Sequence, residues 1–270
     1  MIVGAPSVRP QAKLGPLASA AGRVGSKALS GVALIVVWWL VSLTLPPDIL
    51  PGPVATFGAL ANNFATGRIA GHFVATMGRV LAGFAVSMAM GIVIGTLMGL
   101  FRKIETLSDL WIMVALAIPG LCWVIVCFMW FGLNEFSAIA AISLTSFPSI
   151  TINIWEGVKN VDNKLVDMSK VFHASKYQRI SGVIIPQVLP YILASARFGL
   201  GTIWKVTVLV ELLGRSNGVG YQLHYWFQMF NMAQVLAWTL FFSIIMLVLE
   251  LVVLKQVEIR LFAWRPAVRL

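Results

Sequence analysis

Apolar residues run through this chain in six long blocks, at about 29–45, 80–100, 107–130, 137–157, 191–213 and 234–255, separated by shorter polar or charged stretches. Each block approaches or exceeds the roughly 20 mostly apolar residues that a helix needs to cross the hydrocarbon core of a bilayer. A helix also satisfies its own backbone polar groups, as lipid requires. The pattern predicts an all-α integral membrane protein with six transmembrane helices. The first block, "GVALIVVWWLVSLTL", lies too deep in the chain, and too close to further spans, for a cleaved signal peptide; it reads as a retained span.

Finer periodicities sit on this frame. In "LPGPVATFGALANNFATG" the apolar positions Val54, Phe57, Leu60, Ala61 and Phe64 fall close to helical spacing, which predicts a short amphipathic helix between the first two spans. In the second span Gly83, Ser87, Gly91, Gly95 and Gly99 recur every four residues and form one small-residue stripe. Such a stripe lets helix backbones approach closely in lipid, so Gly83, Gly91, Gly95 and Gly99 are read as helix-packing positions.

The least membrane-like stretch is "DMSKVFHASKYQRISGVIIPQVLP", from Asp167 to Pro190, within a loop taken as about 158–190. Val161, Leu165, Met168 and Phe172 share one face of a helix there, with Lys164, Asp167 and Lys170 on the other side. Ser175 followed three residues later by Gln178 is a capping box that starts a second helix. The two helices meet near His173–Ala174, and the residue closing the first is expected at positive φ, where histidine is found more often than most non-glycine residues. Such a bent, basic, amphipathic element suits either a lipid surface or a protein partner.

Composition sharpens this. The chain has 270 residues, 59% of them hydrophobic and 11% charged, far fewer charges than a soluble domain carries. Its net charge of +10 raises nucleic-acid binding as an option, which the placement of the cations removes. Fifteen of the 20 fall on one face: Arg9, Lys13, Arg23 and Lys27 before the first span, Arg102 and Lys103 in "FRKIE", Lys159, Lys164, Lys170, Lys176 and Arg179 in the loop, and Lys255, Arg260, Arg265 and Arg269 at the end. The positive-inside rule therefore puts both termini in the cytoplasm. It also divides the chain into a basic arm (1–28), a membrane domain (29–260) and a tail (261–270).

Charged groups at membrane depth are costly and often functional. Arg79, near the outer end of the second span, is placed to snorkel. Lys205 and Glu211 are six apart on the fifth span and do not face one another. Lys205 suits either attraction of an anionic solute or an ion pair with another helix. Together with Trp204 and Glu211 it makes up the candidates for a pathway or gate. His72 and His224 are assigned to hydrogen bonding, Cys122 and Cys127 to quiet thiols, and no metal site is indicated. "GRVGSK" at Gly22–Lys27 lacks the spacing of a phosphate-binding loop, so the chain should not itself hydrolyse ATP. An ion-gradient carrier would predict inverted repeats and broken spans, and neither is evident. A membrane enzyme would need clustered His or carboxylates, and these are scattered.

The segment "DMSKVFHAS…VIIP" resembles the EAA loop of ABC-importer permeases, which runs Glu-Ala-Ala, three residues, Gly, nine residues, Ile-x-Leu-Pro. On that motif Asp167 stands for the Glu, Met168 and Ser169 for the alanines, His173 for the Gly, and Val183, Ile185 and Pro186 for the closing residues. From about 30 to 260, "LPGPVATFGAL", "HFVATMGRVLAGF", "GIVIGTLMGL", "MWFGLNEFSAI", "FPSITINIWEGV" and "VDNKLVDMSK" occur in the order of the nitrate, sulfonate and taurine branch of the binding-protein-dependent class. The resemblance implies a type I importer permease in the bacterial inner membrane, working as a dimer, most simply of two identical copies. It implies a periplasmic binding protein and two ABC ATPase subunits as partners, with ATP and Mg bound by the ATPase and no cofactor or catalytic residue in this chain. The ATPase-coupling set becomes Leu165, Asp167, Met168, Ser169, Lys170, Phe172, His173, Ala174 and Ser175. Glu211 stands where the family often has Glu, before the turn at Gly218–Gly220, which implies a gate or binding-protein contact. The expected solute is a small organic or inorganic anion.

Overall fold

The computed structural model describes residues 16–249 together with 252 and 256, and only the backbone of residues 16–28. The tail at 261–270 and the cations Arg9, Lys13, Lys255, Arg260, Arg265 and Arg269 lie outside the described residues. Among those described, the regular structure is helical: α1 (Pro16–Ser42), α2 (Pro53–Ala65), α3 (Arg68–Leu100), α4 (Arg102–Ala117), α5 (Gly120–Phe131), α6 (Glu135–Lys159), α7 (Asn163–Val171), α8 (Lys176–Arg179), α9 (Ile185–Gly214), α10 (Val219–Gln228) and α11 (Met232–Val248). The short helix expected after the first span is α2, started by Pro53 in its first turn, where a missing N–H costs nothing.

The centre is a three-helix stack in which α6 lies between α3 and α9. The small-residue stripe of α3 faces α6. A Cβ added at Gly95 would sit 2.7 Å from the carbonyl oxygen of Thr151, and one at Gly99 would meet the side chain of Val158. The two backbones are therefore as close as hydrogen side chains allow, and Ser87 in the same stripe returns its hydroxyl to Gly83 O at 2.7 Å. On the other flank Ile203, Trp204, Val206 and Val210 of α9 are buried with Ala138, Ala141 and Ile142 of α6.

Among the described residues three helices are long and apolar enough to span a membrane, at Arg68–Leu100, Glu135–Lys159 and Lys176–Gly214; Leu29–Ser42 and Met232–Val248 are shorter apolar helices. Two expectations need correction. The block at 107–130 is not one straight span: α4 and α5 meet at 97°. Pro119 disfavours helix at the preceding residue, and Ile118 is accordingly extended, with φ −73 and ψ 122. Hydrophobicity runs unbroken through "AIPGLCW", so the profile conceals the break. The pair has the form of a broken span or a re-entrant loop, so a supposed absence of broken spans gives no ground against an ion-gradient carrier.

The second correction concerns the start of the fifth span, expected at about 191: both helices expected within 158–190 are present, but the second does not end before that span. The helix capped at Ser175 runs on through a π turn at Ile180–Ile184 into α9, past Pro186 and Pro190. The wider i→i+5 turn, from Ile185 N–H to Ile180 O, takes up a residue where a proline follows, and the rod continues.

Candidate functional site

Two constellations occupy opposite ends of the α3–α6–α9 stack. The first is the elbow formed by α7 and α8. Asp162 caps α7, its side chain accepting the Lys164 N–H at 2.8 Å. The Asp162 N–H donates to Gln187 Oε1 at 2.8 Å, which ties the start of α7 to α9. At the other end Phe172 is the last near-helical residue and His173 has φ +55. The His173 N–H donates to Lys170 O and the Ala174 N–H to Ser169 O, both at 2.9 Å. This is a Schellman closure with histidine in the left-handed position usually held by glycine. Ser175 and Gln178 then cap each other reciprocally.

Ser169 is the buried residue of α7. Leu165, Met168, Val171 and Phe172 face outward, Phe172 at 76% exposure, beside Lys164, Asp167 and Lys170. Asp167 and Lys170 pair at 2.8 Å on this surface, a contact that water screens. The elbow thus holds a rigid corner while presenting large apolar side chains on the cation-rich end of the molecule. His173→Gly is expected to keep the corner. The imidazole is exposed and has no hydrogen bond or ion pair among the described residues, and relief of the left-handed strain is worth about 1–2 kcal/mol. Unchanged assembly and activity of that variant is the check.

The second constellation is a buried charge cluster at the opposite end. Arg79 of α3 is 3% exposed and is enclosed, not snorkelling as its position along the span suggested. Its guanidinium donates to Glu211 Oε1 at 2.6 Å, to Glu135 Oε1 and Oε2 at 2.7 and 2.9 Å, to the Asn217 carbonyl at 2.9 Å and to the Asn217 side chain. Glu211, fully enclosed on α9, accepts at its other oxygen from Thr76 Oγ1 and from the Gly220 N–H, each at 2.9 Å. Thr76 Oγ1 accepts the Val219 N–H at 2.9 Å, and His72 Nδ1 accepts that of Gly218 at 3.1 Å. Arg215 closes the rim by pairing with Glu135 and donating to Leu133 O. Gly218 has φ +114, and a Cβ there would collide with the Glu211 carboxylate, so glycine is required both by conformation and by space.

One arginine therefore ties α3, the first residue of α6, the end of α9 and the turn into α10 into a single knot. Two cations and two carboxylates compensate each other, so the knot is neutral within itself. Glu211 is fully enclosed and does not reach the molecular surface. Glu135, Asn217 and Thr76 were not among the expected site residues. The available signal was an arginine and a glutamate, both within apolar spans and each in need of a counter-charge.

Trp204 and Lys205 lie side by side on α9 and point apart. The Trp204 ring is buried and stacks on Phe242, with ring centroids 4.9 Å apart. Lys205 is exposed and has no hydrogen bond or ion pair among the described residues. His72 and His224 make ordinary hydrogen bonds, to Gln222 and Gln228. Cys122 and Cys127 are free thiols, and no cluster of metal-ligating residues occurs among the described residues.

Comparison with known proteins decides the class. The family model described as the binding-protein-dependent transport system inner membrane component matches residues 87–257. The chain belongs to this family. An ABC transporter permease protein of Methanocaldococcus jannaschii is 33% identical over 241 residues, covering 87% of this chain and 90% of the relative. The aliphatic sulfonates transport permease SsuC of Bacillus subtilis is 30% identical over 234 residues, covering 86% and 84%. The taurine transport permease TauC of Escherichia coli is 29% identical over 243 residues, covering 87% and 88%. A crystal structure of an amino acid ABC transporter with histidines superposes with a TM-score of 0.60 at 19% identity, over 74% of this chain and 97% of the other, which shows the shared fold. The chain is thus a membrane-embedded ABC permease with the type I fold and the sulfonate, taurine and nitrate permeases among its relatives. Membership implies an ATPase and a binding protein as partners.

Proposed function

We propose that this permease forms one half of the pathway of an ATP-driven importer, with six spans, both termini in the cytoplasm and a second copy of the chain supplying the other half. ATP is hydrolysed by two partner ATPase subunits, and a binding protein delivers the solute to the face opposite α7. The names of the sulfonate, taurine and nitrate relatives favour a small organic or inorganic anion as that solute.

The observation that carries this reading is the outward apolar face of α7. A charged end of a membrane protein has no reason to hold Leu165, Met168, Val171 and Phe172 in water unless something covers them. The covering surface is taken to be a groove on the ATPase, with Lys164, Asp167 and Lys170 setting orientation at its rim. α6 and α9 both run from this elbow to the buried cluster: α6 carries Glu135 at one end and leads into α7 at the other. Its 25 residues span about 37 Å. Movement of α7 with the ATPases would travel along these rods to the turn at Gly218–Gly220. There the contacts of Arg79 and Glu211 would hold one state of the outer gate. The ATPase can shift that equilibrium only by gripping α7 differently in its open and closed states.

Gentle affinity capture of the tagged chain from its native membrane tests the reading. A stoichiometric ATPase with a Gly-x-x-x-x-Gly-Lys-Ser/Thr loop is expected in the captured material. Reproducible recovery of the chain alone in an active state would contradict it and favour an ion-gradient carrier.

A further inference from the structure

At the end of the stack that carries α7, a basic recess opens onto an apolar groove. In α4 the positions Ile104, Leu107 and Trp111 fall at i, i+3 and i+7 and share one face. Ile94 and Leu97 lie three apart on α3, off the small-residue stripe that packs on α6. With Phe147 of α6 these side chains line a groove of about 510 Å³ between the three helices. Leu107 also borders a second, shallow recess lined by Arg102, Lys103 and Thr106. From Arg102 to Trp111 is nine residues, about 14 Å along α4. Half of a hydrocarbon core is about 15 Å. Cations at one end and an apolar trough of that length match the layout of a lipid in one leaflet.

The charges narrow the choice of occupant. Arg102 and Lys103 are exposed, and neither is in an ion pair among the described residues. Glu105, the nearest carboxylate along the chain, is engaged by Lys159 at 2.8 Å, and Asp109 lines neither recess. A zwitterionic lipid would fill the trough but bring its own ammonium group to these two cations. The α1 of a second copy would leave them unmatched, since Leu29–Ser42 contains no acidic residue. An anionic head group satisfies both, and basic pockets between membrane helices on the cytoplasmic side suit such head groups.

We propose that the groove between α3, α4 and α6 is a site for an anionic diacyl phospholipid. Its phosphate sits at Arg102 and Lys103, and an acyl chain lies against Leu97, Leu107 and Trp111. Lys159, the partner of Glu105, ends α6 four positions before α7 begins at Asn163. The lipid therefore braces α4 against the rod that leads into the elbow. This rests on the reading that the α7 end is cytoplasmic.

The test uses the full chain in phosphatidylcholine vesicles. Separate samples contain a small fraction of phosphatidylglycerol or phosphatidylcholine bearing the same diazirine-labelled acyl chain. Illumination and peptide mass spectrometry then locate the adducts. The phosphatidylglycerol probe is expected to label residues 94–111 on the order of tenfold more than the phosphatidylcholine probe. Arg102→Gln with Lys103→Gln should bring the two probes level, whereas Arg102→Lys with Lys103→Arg should keep the preference. Lys164→Gln with Lys176→Gln removes two charges from the same end outside the groove and should leave the preference unchanged. Equal labelling by both probes in the parent chain would overturn the head-group selection. A groove labelled by neither probe would be covered by protein, which would overturn the site. Loss of the preference in the Lys164→Gln, Lys176→Gln variant would reduce it to a diffuse basic surface and overturn it as well. Both leaflets carry the probe, so a failure here leaves the captured ATPase and the cytoplasmic placement of α7 standing, and their failure would not erase the preference.

Discussion

Phe172→Asp is expected to leave the chain folded in the membrane and to reduce transport on the order of a hundredfold. Phe172 is 76% exposed, and its backbone N–H bond to Met168 O does not depend on the side chain. The fold should therefore lose less than about 0.5 kcal/mol, as for other surface substitutions. The loss falls on the joint. Burying a phenylalanine in a partner groove is worth about 1.5–3 kcal/mol, and a carboxylate in its place adds a desolvation cost. Together these reach the range of interface hot spots, about 2–4 kcal/mol. The measurements are recovery of the ATPase with the tagged variant and uptake by cells carrying it. Wild-type values of both would remove α7 from the joint.

Arg79→Ala acts on the fold itself, and its expected cost is about 3–5 kcal/mol, that of breaking a buried pair. The substitution leaves Glu211 fully enclosed with only Thr76 and the Gly220 N–H to satisfy it, frees Asn217, and leaves Glu135 with Arg215 as its remaining cation. Arg79→Lys should fall between, since a point charge cannot serve Glu211, Glu135 and Asn217 at once. Replacing Arg79 and Glu211 together by leucine should recover part of the loss, because no uncompensated charge then stays buried. Cys127, fully buried, reports unfolding through its reaction with a thiol dye in a Cys122→Ser background. A midpoint for Arg79→Ala equal to that of the parent would mean that the cluster contributes nothing to stability.

These two sites differ in how far they can be read from the chain. The elbow is local. Leu165, Met168 and Phe172 of its stripe, the Ser175–Gln178 box and the left-handed residue at His173 lie where spacings of 11 residues or fewer put them, whereas Val161 precedes α7 and packs inward against Ile150, Ile154, Val158 and Val188. The four-residue recurrence of Gly83, Gly91, Gly95 and Gly99 likewise announces a close helix contact, although not that α6 is its partner. The charge cluster is non-local. Arg79 and Glu211 are separated by 132 positions, and nothing near either names the other. The break at Pro119 was hidden for a third reason: hydrophobicity measures burial in lipid and is blind to direction, whereas a proline changes direction without changing hydrophobicity. The run from Ser175 into α9 escaped notice because two prolines usually end a helix, and the π turn ahead of Pro186 lets this one continue.

Site-specific photo-crosslinking from position 172 tests the transmission joint most directly. p-Benzoylphenylalanine in place of Phe172 keeps an aromatic ring on the exposed face of α7, and illumination of native membranes followed by mass spectrometry identifies what that ring touches. The expected result is an adduct with an ATPase subunit that carries a phosphate-binding loop, lost when Leu165 and Met168 are both changed to aspartate. Adducts with lipid alone, from a chain that remains active, would contradict a protein joint at α7 and make the elbow a membrane-surface element.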